Sequence, residues 1–276
     1  MFVMDESQTP SYSIAFVGAG RMASAIVHSL LNSGAYQPNQ IACCSAPDGT
    51  AKKLSDETGI EVVDTSGSSF FADVLVIACK PQQLQQLDES IVHSSSNSLV
   101  ISILAGTKIA ALLEKFHAAR NVVRVMPNTP GSIGEGVSGF APSSELSAED
   151  RKTVTTLLDT LGKTLEVSEN QIDAVTAISG SGPAYFFLFV EGLIQAAKNL
   201  GFDQDTAMMI AQQTAVGSAK LLDQSELTPE ELRIQVTSPG GTTQAAIESF
   251  KSNGFVQTIH KAARAAYDRS IELGEM

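Results

Sequence analysis

An apolar run, Ser13-Ile14-Ala15-Phe16-Val17-Gly18, leads straight into Gly18-Ala19-Gly20-Arg21-Met22-Ala23. This is G-x-G-x-x-A at a strand-to-helix junction. Gly18 permits the tight turn, Gly20 lets the backbone approach a pyrophosphate, and Ala23 keeps helix and strand close. The helix that follows, over residues 21–34 with Gly34 as its stop, turns its N-terminal N–H groups and positive dipole end toward the anion. A glycine turn without a ligand is the alternative. In this context the pattern makes Gly18, Ala19, Gly20, Arg21 and Met22 candidate cofactor-binding residues.

The rest of the first half supports that context. Strands are expected at 40–44, 73–78, 99–104 and 122–126. Helices are expected at 50–58 (ended by Gly59), from Pro81 to about Ser94, and at 108–117. Alternating strands and helices mean βαβ units and a mostly parallel sheet, and near-continuous apolar strands fit a sheet covered on both faces. A helix at 147–161 and a last strand at 163–167 follow. From 170 only helical periodicity remains, broken at Gly180–Pro183, Gly201, Pro229 and Pro239-Gly240-Gly241. The expected fold is α/β: an N-terminal Rossmann-type, mostly parallel sheet (residues 1–169) and a C-terminal all-helical domain (170–276), with the boundary near 168–172.

A length of 276 residues accommodates two domains and a sizeable core. Net charge is −12, which offers no electrostatic footprint for nucleic acid or an anionic membrane. Small anions remain possible ligands, because local backbone N–H groups hold them. The three cysteines, Cys43, Cys44 and Cys79, are odd in number and lack C-x-x-C spacing. They read as buried small hydrophobes in a reducing compartment, with no metal site. The N-terminal segment is acidic, without the basic and apolar regions of a signal peptide, and no run reaches about 18 consecutive apolar residues. A cytoplasmic protein is expected.

Ligands of such sheets bind beyond the carboxyl ends of the strands. At the end of the second strand stands Cys43-Cys44-Ser45-Ala46-Pro47, without the carboxylate that often binds the ribose hydroxyls of NAD, although Asp48 follows closely. Ser45 is placed to donate to a 2′-phosphate. Arg21 either reaches the same phosphate or lies solvated on its helix. NADPH is therefore favoured, with NADH possible. Ala78-Cys79-Lys80-Pro81 ends a buried strand, and Lys80 is read as a partner for ribose or phosphate rather than a plain loop cation. Ala105, just after the strand at 99–104, joins the cofactor set. In Met126-Pro127-Asn128-Thr129-Pro130 two prolines stiffen the loop, and Asn128 is expected to present its amide to the cleft.

A second glycine-rich segment, Ser238-Pro239-Gly240-Gly241-Thr242-Thr243, lets several N–H groups converge on one anion at a helix start near Thr242. An ordinary N-cap is equally consistent with its spacing. The ordered set of Gly18–Ala23, Cys79-Lys80-Pro81, Met126–Pro130, Ser179–Tyr185 and Val236–Thr243 resembles the pyrroline-5-carboxylate reductases over about residues 13–272. The resemblance implies hydride transfer from NAD(P)H to a cyclic imine, 1-pyrroline-5-carboxylate, to give proline. It further implies an obligate homodimer through the helical domain, in some members a ring of dimers, with the substrate pocket at the dimer interface.

Under this resemblance Ser238, Gly240, Gly241, Thr242 and Thr243 hold the substrate carboxylate. Thr243 contacts the ring nitrogen, Pro183 lies against the nicotinamide, and Glu226 matches a glutamate near the active site. Two departures stand out. Cys79 replaces a usual valine, and the Ser-rich stretch 65–69 lacks an asparagine that several relatives place near the adenosine phosphate.

A protonated imine is already electrophilic, so positioning and exclusion of water do most of the work. Thr243 is an orienting group rather than a strong acid. His28, His93, His117 and His260 have no motif partners and read as surface or packing residues, and Tyr185–Phe189 as core or interface. A hydroxyacid dehydrogenase would place a catalytic lysine after the glycines at 180–182, where Phe186 stands instead. A non-catalytic dinucleotide sensor would have no reason to keep a second anion site at 238–243.

Overall fold

The computed structural model describes residues 11–65 and 70–275. The acidic N-terminal segment up to residue 10 and the Ser-rich positions 66–69 lie outside the described residues. The strands are β1 (Ser11–Val17), β2 (Ile41–Cys44), β3 (Glu61–Val62), β4 (Phe71–Ile77), β5 (Leu99–Ser102), β6 (Asn121–Met126), β7 (Gly136–Pro142) and β8 (Gly162–Glu166). They form one sheet in the order β3-β2-β1-β4-β5-β6-β7-β8. All neighbours pair in parallel except β6 with β7. The order reverses between β1 and β4, the switch point of a Rossmann sheet.

Why the central strands read as unbroken apolar runs is visible in how alternate residues divide. Ile14 and Phe16 of β1, Val74 and Val76 of β4 and Leu99 and Ile101 of β5 share one core cluster with Ile26 and Leu30 of α1 (Arg21–Asn32). Leu54 of α2 (Thr50–Thr58) and Leu157 of α5 (Ala148–Asp159) join them. Ala15 and Val17, Leu75 and Ile77, and Val100 face the other way, onto Ile91 of α3 (Glu89–Ser94) and Leu112 of α4 (Ile109–Lys115). Each fully buried Leu or Ile contributes about 1.5–3 kcal/mol, so a sheet covered on both faces rewards an apolar residue at every position.

Several features differ from the sequence expectation, the short strand β3 among them. The stretch from Pro81 is not one helix to Ser94: a 3₁₀ turn covers Pro81–Gln86, Leu87 is extended, and Asp88 caps α3 by accepting from the Ser90 N–H at 2.8 Å. Between β6 and α5 lies an unexpected strand, β7, whose Gly139 packs against Val175 of α6 (Glu169–Val175).

The helical part continues through a π-helical turn (Thr176–Gly180), α7 (Gly182–Asn199), α8 (Gln204–Gln224), α9 (Pro229–Gln235), α10 (Thr242–Ser252) and α11 (Phe255–Leu273). The chain packs as two compact units: one runs to Ser181 and resumes at Ala266, and the other is Gly182–Ala265. The division falls later than the 168–172 expected from periodicity, because α6 stays with the sheet. Ile172 packs with Ala141 of β7 and Ile109, and Asp173 pairs with the buried Arg124 of β6 at 3.0 Å. The Ser270 hydroxyl of α11 donates to the same Asp173 carboxylate at 2.8 Å.

The second unit leaves much apolar surface open within the chain. Phe186, Phe187, Leu188 and Phe189 of α7 and Met208, Met209 and Val216 of α8 are all exposed. The continuous helical stretch Glu169–Asn199 is apolar and long enough, by composition alone, to cross a bilayer.

Candidate active site

A cleft of about 550 Å³ opens at the carboxyl ends of β1, β2 and β4. Its floor is fixed by two backbone hydrogen bonds at the switch point: Gly18 N–H donates to the Cys44 carbonyl (2.7 Å) and Ala78 N–H to the Val17 carbonyl (2.8 Å). Gly18 has φ +108°, and a β-carbon there would sit 2.5 Å from the Ala78 carbonyl carbon and oxygen. Only glycine accommodates both the conformation and the approach.

Gly20 is glycine for a different reason. Its φ of −73° suits any residue, and a β-carbon there would meet nothing within 4 Å. Packing does not require the missing side chain, so what it leaves is open space beside the start of α1. Gly20 caps that helix without a side-chain hydrogen bond, and no acidic residue stands in the first turn. A free, positively polarised helix start facing open space is the cradle a pyrophosphate needs. The residues present therefore fit a dinucleotide.

Of the expected cofactor residues, Gly18, Ala19, Gly20, Ser45, Ala78, Cys79 and Lys80 line this cleft. Lys80 is exposed, and its N–H donates to Gln83 Oε1 at 2.9 Å, with Pro81 opening the 3₁₀ turn behind it. Arg21 stands exposed at the first position of α1, while the Met22 side chain packs on the core. Ala105 is exposed in the turn after β5.

Asn128 lies outside the lining of this cleft. Its Nδ2 donates to the Ser179 carbonyl (3.0 Å) and its Oδ1 accepts from Val137 N–H (2.9 Å). The amide is buried and joins the end of β6 to β7 and to the π-helical turn; it does not line the cleft. The Ser45 hydroxyl is also engaged, with the Ala46 carbonyl at 2.9 Å and the Asp48 carboxylate at 3.3 Å. Cys44 and Cys79 form part of the wall, and burial pushes their thiols up to about 12 and about 11.

In the second unit, α10 begins at Thr242 with Gly241 as its cap. Gly240 has φ +71°, and the Ser238 carbonyl accepts from Gly241 N–H at 3.0 Å. A β-carbon on Gly241 would lie 2.5 Å from Ser238 Oγ, so the loop folds tightly onto itself. The first turn of α10, like that of α1, has neither a side-chain cap nor an acidic residue. By contrast α3, α5, α8 and α9 are capped by Asp88, Ser147, Asp203 and Thr228. Thr243 is partly buried, Glu226 is exposed between α8 and α9, and Pro183 lies in the first turn of α7.

Comparison with known proteins decides the affiliation. A family model described as pyrroline-5-carboxylate reductase dimerisation matches residues 169–273, and one described as NADP oxidoreductase, coenzyme F420-dependent, matches 13–106. The chain is 40% identical over 265 residues to the pyrroline-5-carboxylate reductase of Pseudomonas aeruginosa, covering 95% of this chain and 97% of that one.

The chain belongs to the pyrroline-5-carboxylate reductase family. The Arabidopsis thaliana reductase is 34% identical, with 96% of each chain covered. Among solved structures, a pyrroline-5-carboxylate reductase from Coxiella burnetii superposes with a TM-score of 0.87 at 34% identity, over 96% of this chain and 99% of that one. The Plasmodium falciparum pyrroline carboxylate reductase with NADP bound gives 0.81 at 28% identity, over 97% and 100%.

Sequence reasoning left several wall residues of this reductase unnamed. Thr65, Gln83, Gln86, Leu87, Asp88 and Ile91 all line the cleft. The Asp88-Glu89-Ser90 capping pattern was the available signal, since a helix restarting at Glu89 brings Leu87 and Ile91 to the cleft as apolar wall.

Proposed function

We propose that this reductase converts 1-pyrroline-5-carboxylate to proline at the expense of NADPH, with NADH also accepted. One observation carries the reading. In a chain that matches reductases of this name over its length, α1, α2 and α10 start from a glycine cap; the first N–H groups of α2 are taken by Asp48 and Ser45, while the first turns of α1 and α10 carry no side-chain cap and no acidic residue. The start of α1 suits a pyrophosphate and that of α10 a carboxylate.

Reduction adds a hydride to the imine carbon and a proton to the nitrogen, and the bound dinucleotide supplies the hydride. Gly18, Ala19 and Gly20 hold its pyrophosphate, Lys80 its ribose or phosphate, and Cys79, Ala78 and Ala105 border it; Pro183 is the face for the nicotinamide. The N–H groups of the Ser238–Thr243 loop hold the substrate carboxylate, so that an acidic protein takes an anion through backbone. Thr243 orients the ring nitrogen, and the proton passes through its hydroxyl or through water. Glu226 acts nearby, and its exposed position within one chain is compatible with burial by a partner.

The exposed apolar side chains of α7 and α8, in a region that matches a dimerisation family, support a homodimer or a ring of dimers. The family match from residue 169 supports a functional division into 1–169 for the nucleotide and 170–276 for substrate and dimerisation, although the compact units themselves divide at Ser181. Unpaired Cys43, Cys44 and Cys79 suit a reducing cytoplasm, and a charge of −12 gives neither nucleic acid nor membrane a part. Product analysis tests the reading: proline must accumulate when protein, NADPH and 1-pyrroline-5-carboxylate are combined, and its absence overturns the assignment.

A further inference from the structure

The wall of the cleft at the end of β2 carries a carboxylate whose orientation is set. Asp48 Oδ1 accepts three hydrogen bonds, from the Thr50 hydroxyl (2.6 Å), the Thr50 N–H (3.0 Å) and the Ser45 hydroxyl (3.3 Å). The Thr50 bonds, hydroxyl first, hold its pKa below the usual carboxylate range, so the group is charged at neutral pH. All three donors converge on Oδ1. Among the described residues, Oδ2 has no side-chain or N–H donor from another residue.

Ser45, Asp48 and Thr50 all belong to the cleft wall. Nothing cationic answers Asp48 there: Lys80, the one cation of that wall among the described residues, follows β4. Lys52 and Lys53 of α2 are paired with Asp56 and Glu57, and Arg21 is not part of the wall.

In a sheet of this type the end of β2 is where the adenosine ribose is read, and a carboxylate there accepts ribose hydroxyls but opposes a 2′-phosphate. We infer that Asp48 is a cofactor-selectivity residue of this chain, whose second carboxylate oxygen accepts the adenosine ribose hydroxyls of NADH and whose charge repels the 2′-phosphate of NADPH. The preference for NADPH is therefore narrow and Asp48 is what narrows it. This rests on the reading of the cleft as the dinucleotide site.

The test is calorimetric titration of the full-length protein with NADPH and with NADH, for the unmodified chain and for Asp48→Asn and Asp48→Ser, with kcat/KM measured beside it. Asparagine keeps an oxygen for the Thr50 N–H and removes only the charge. The ratio of NADH to NADPH dissociation constants is expected to rise about tenfold in both variants, the size of one charge contact near a surface. The unmodified chain is expected to bind the two nucleotides within about tenfold of each other. An unchanged ratio, equal weakening of both nucleotides, or a preference for NADPH above about a hundredfold in the unmodified chain overturns the inference. Failure of the unmodified chain to bind either nucleotide instead overturns the reading of the cleft itself.

Discussion

The α-carbon of Gly18 approaches the end of β4 so closely that a β-carbon would lie 2.5 Å from the Ala78 carbonyl. Gly20, two residues on, faces open space. The two glycines of one motif therefore fail differently. Gly18→Ala is expected to cost at least about 2 kcal/mol in stability, through a positive φ and a backbone overlap, and to lower the midpoint of thermal unfolding. Gly20→Val is expected to cost no more than about 1 kcal/mol, the scale of a helix cap, yet to weaken dinucleotide binding at least about tenfold. Normal NADPH affinity in a folded Gly20→Val protein would contradict the cradle.

The loop before α10 makes the complementary prediction. Thr243→Ala removes one hydrogen bond from the orientation of the imine, so kcat/KM for the substrate falls about ten- to a hundredfold while NADPH binding stays nearly intact. Steady-state kinetics beside a binding titration separates the two. Loss of cofactor affinity instead would mean that the loop serves the nucleotide.

Arg124 and Asp173 lie buried 3.0 Å apart and tie α6 to β6, with Ser270 of α11 on the same carboxylate. Asp173→Ala leaves a buried guanidinium with Glu169, at 3.6 Å, as its one carboxylate partner among the described residues, and is expected to destabilise by about 3–5 kcal/mol. Ser270→Ala removes a neutral donor and costs about 1 kcal/mol. Urea unfolding of the two variants should rank them in that order.

How much was legible depended on whether a residue's role lay in local pattern or in distant partners. The parallel half was readable because strands such as Leu99–Ser102 are apolar at every position, which only a doubly covered sheet tolerates. Strand β7, Gly-Val-Ser-Gly-Phe-Ala-Pro, was not: its glycines answer the close approach of Val175 and Gly131, a tertiary demand without a local trace. The partners of Asn128, Ser179 and Val137, were not legible because they are remote in sequence or on a strand not foreseen. Asp48 was noticed but passed over, because its place in the cleft wall, beside the ends of β1 and β4, emerges only with the fold.

The buried thiols give a pH dependence of defined sign. Burial foremost, with the neighbouring Cys43 and Cys79, raises Cys44 from an ordinary 9 to about 12. The fold thus favours the protonated thiol. Its contribution to stability is complete below pH 9 and is lost as pH rises from 9 toward 12. Thermal unfolding of the unmodified protein should fall across that window more steeply than that of Cys44→Ala. Parallel curves would show that other groups govern alkaline unfolding.

The central claim is the reaction, and the most direct measurement is the loss of NADPH absorbance when DL-1-pyrroline-5-carboxylate is added to the purified protein, with NADH run in parallel. Rapid oxidation of NADPH, with NADH also consumed and proline as the product, is the predicted result. Protein that binds NADPH but oxidises neither nucleotide with this imine would contradict the assignment while leaving the nucleotide cleft in place.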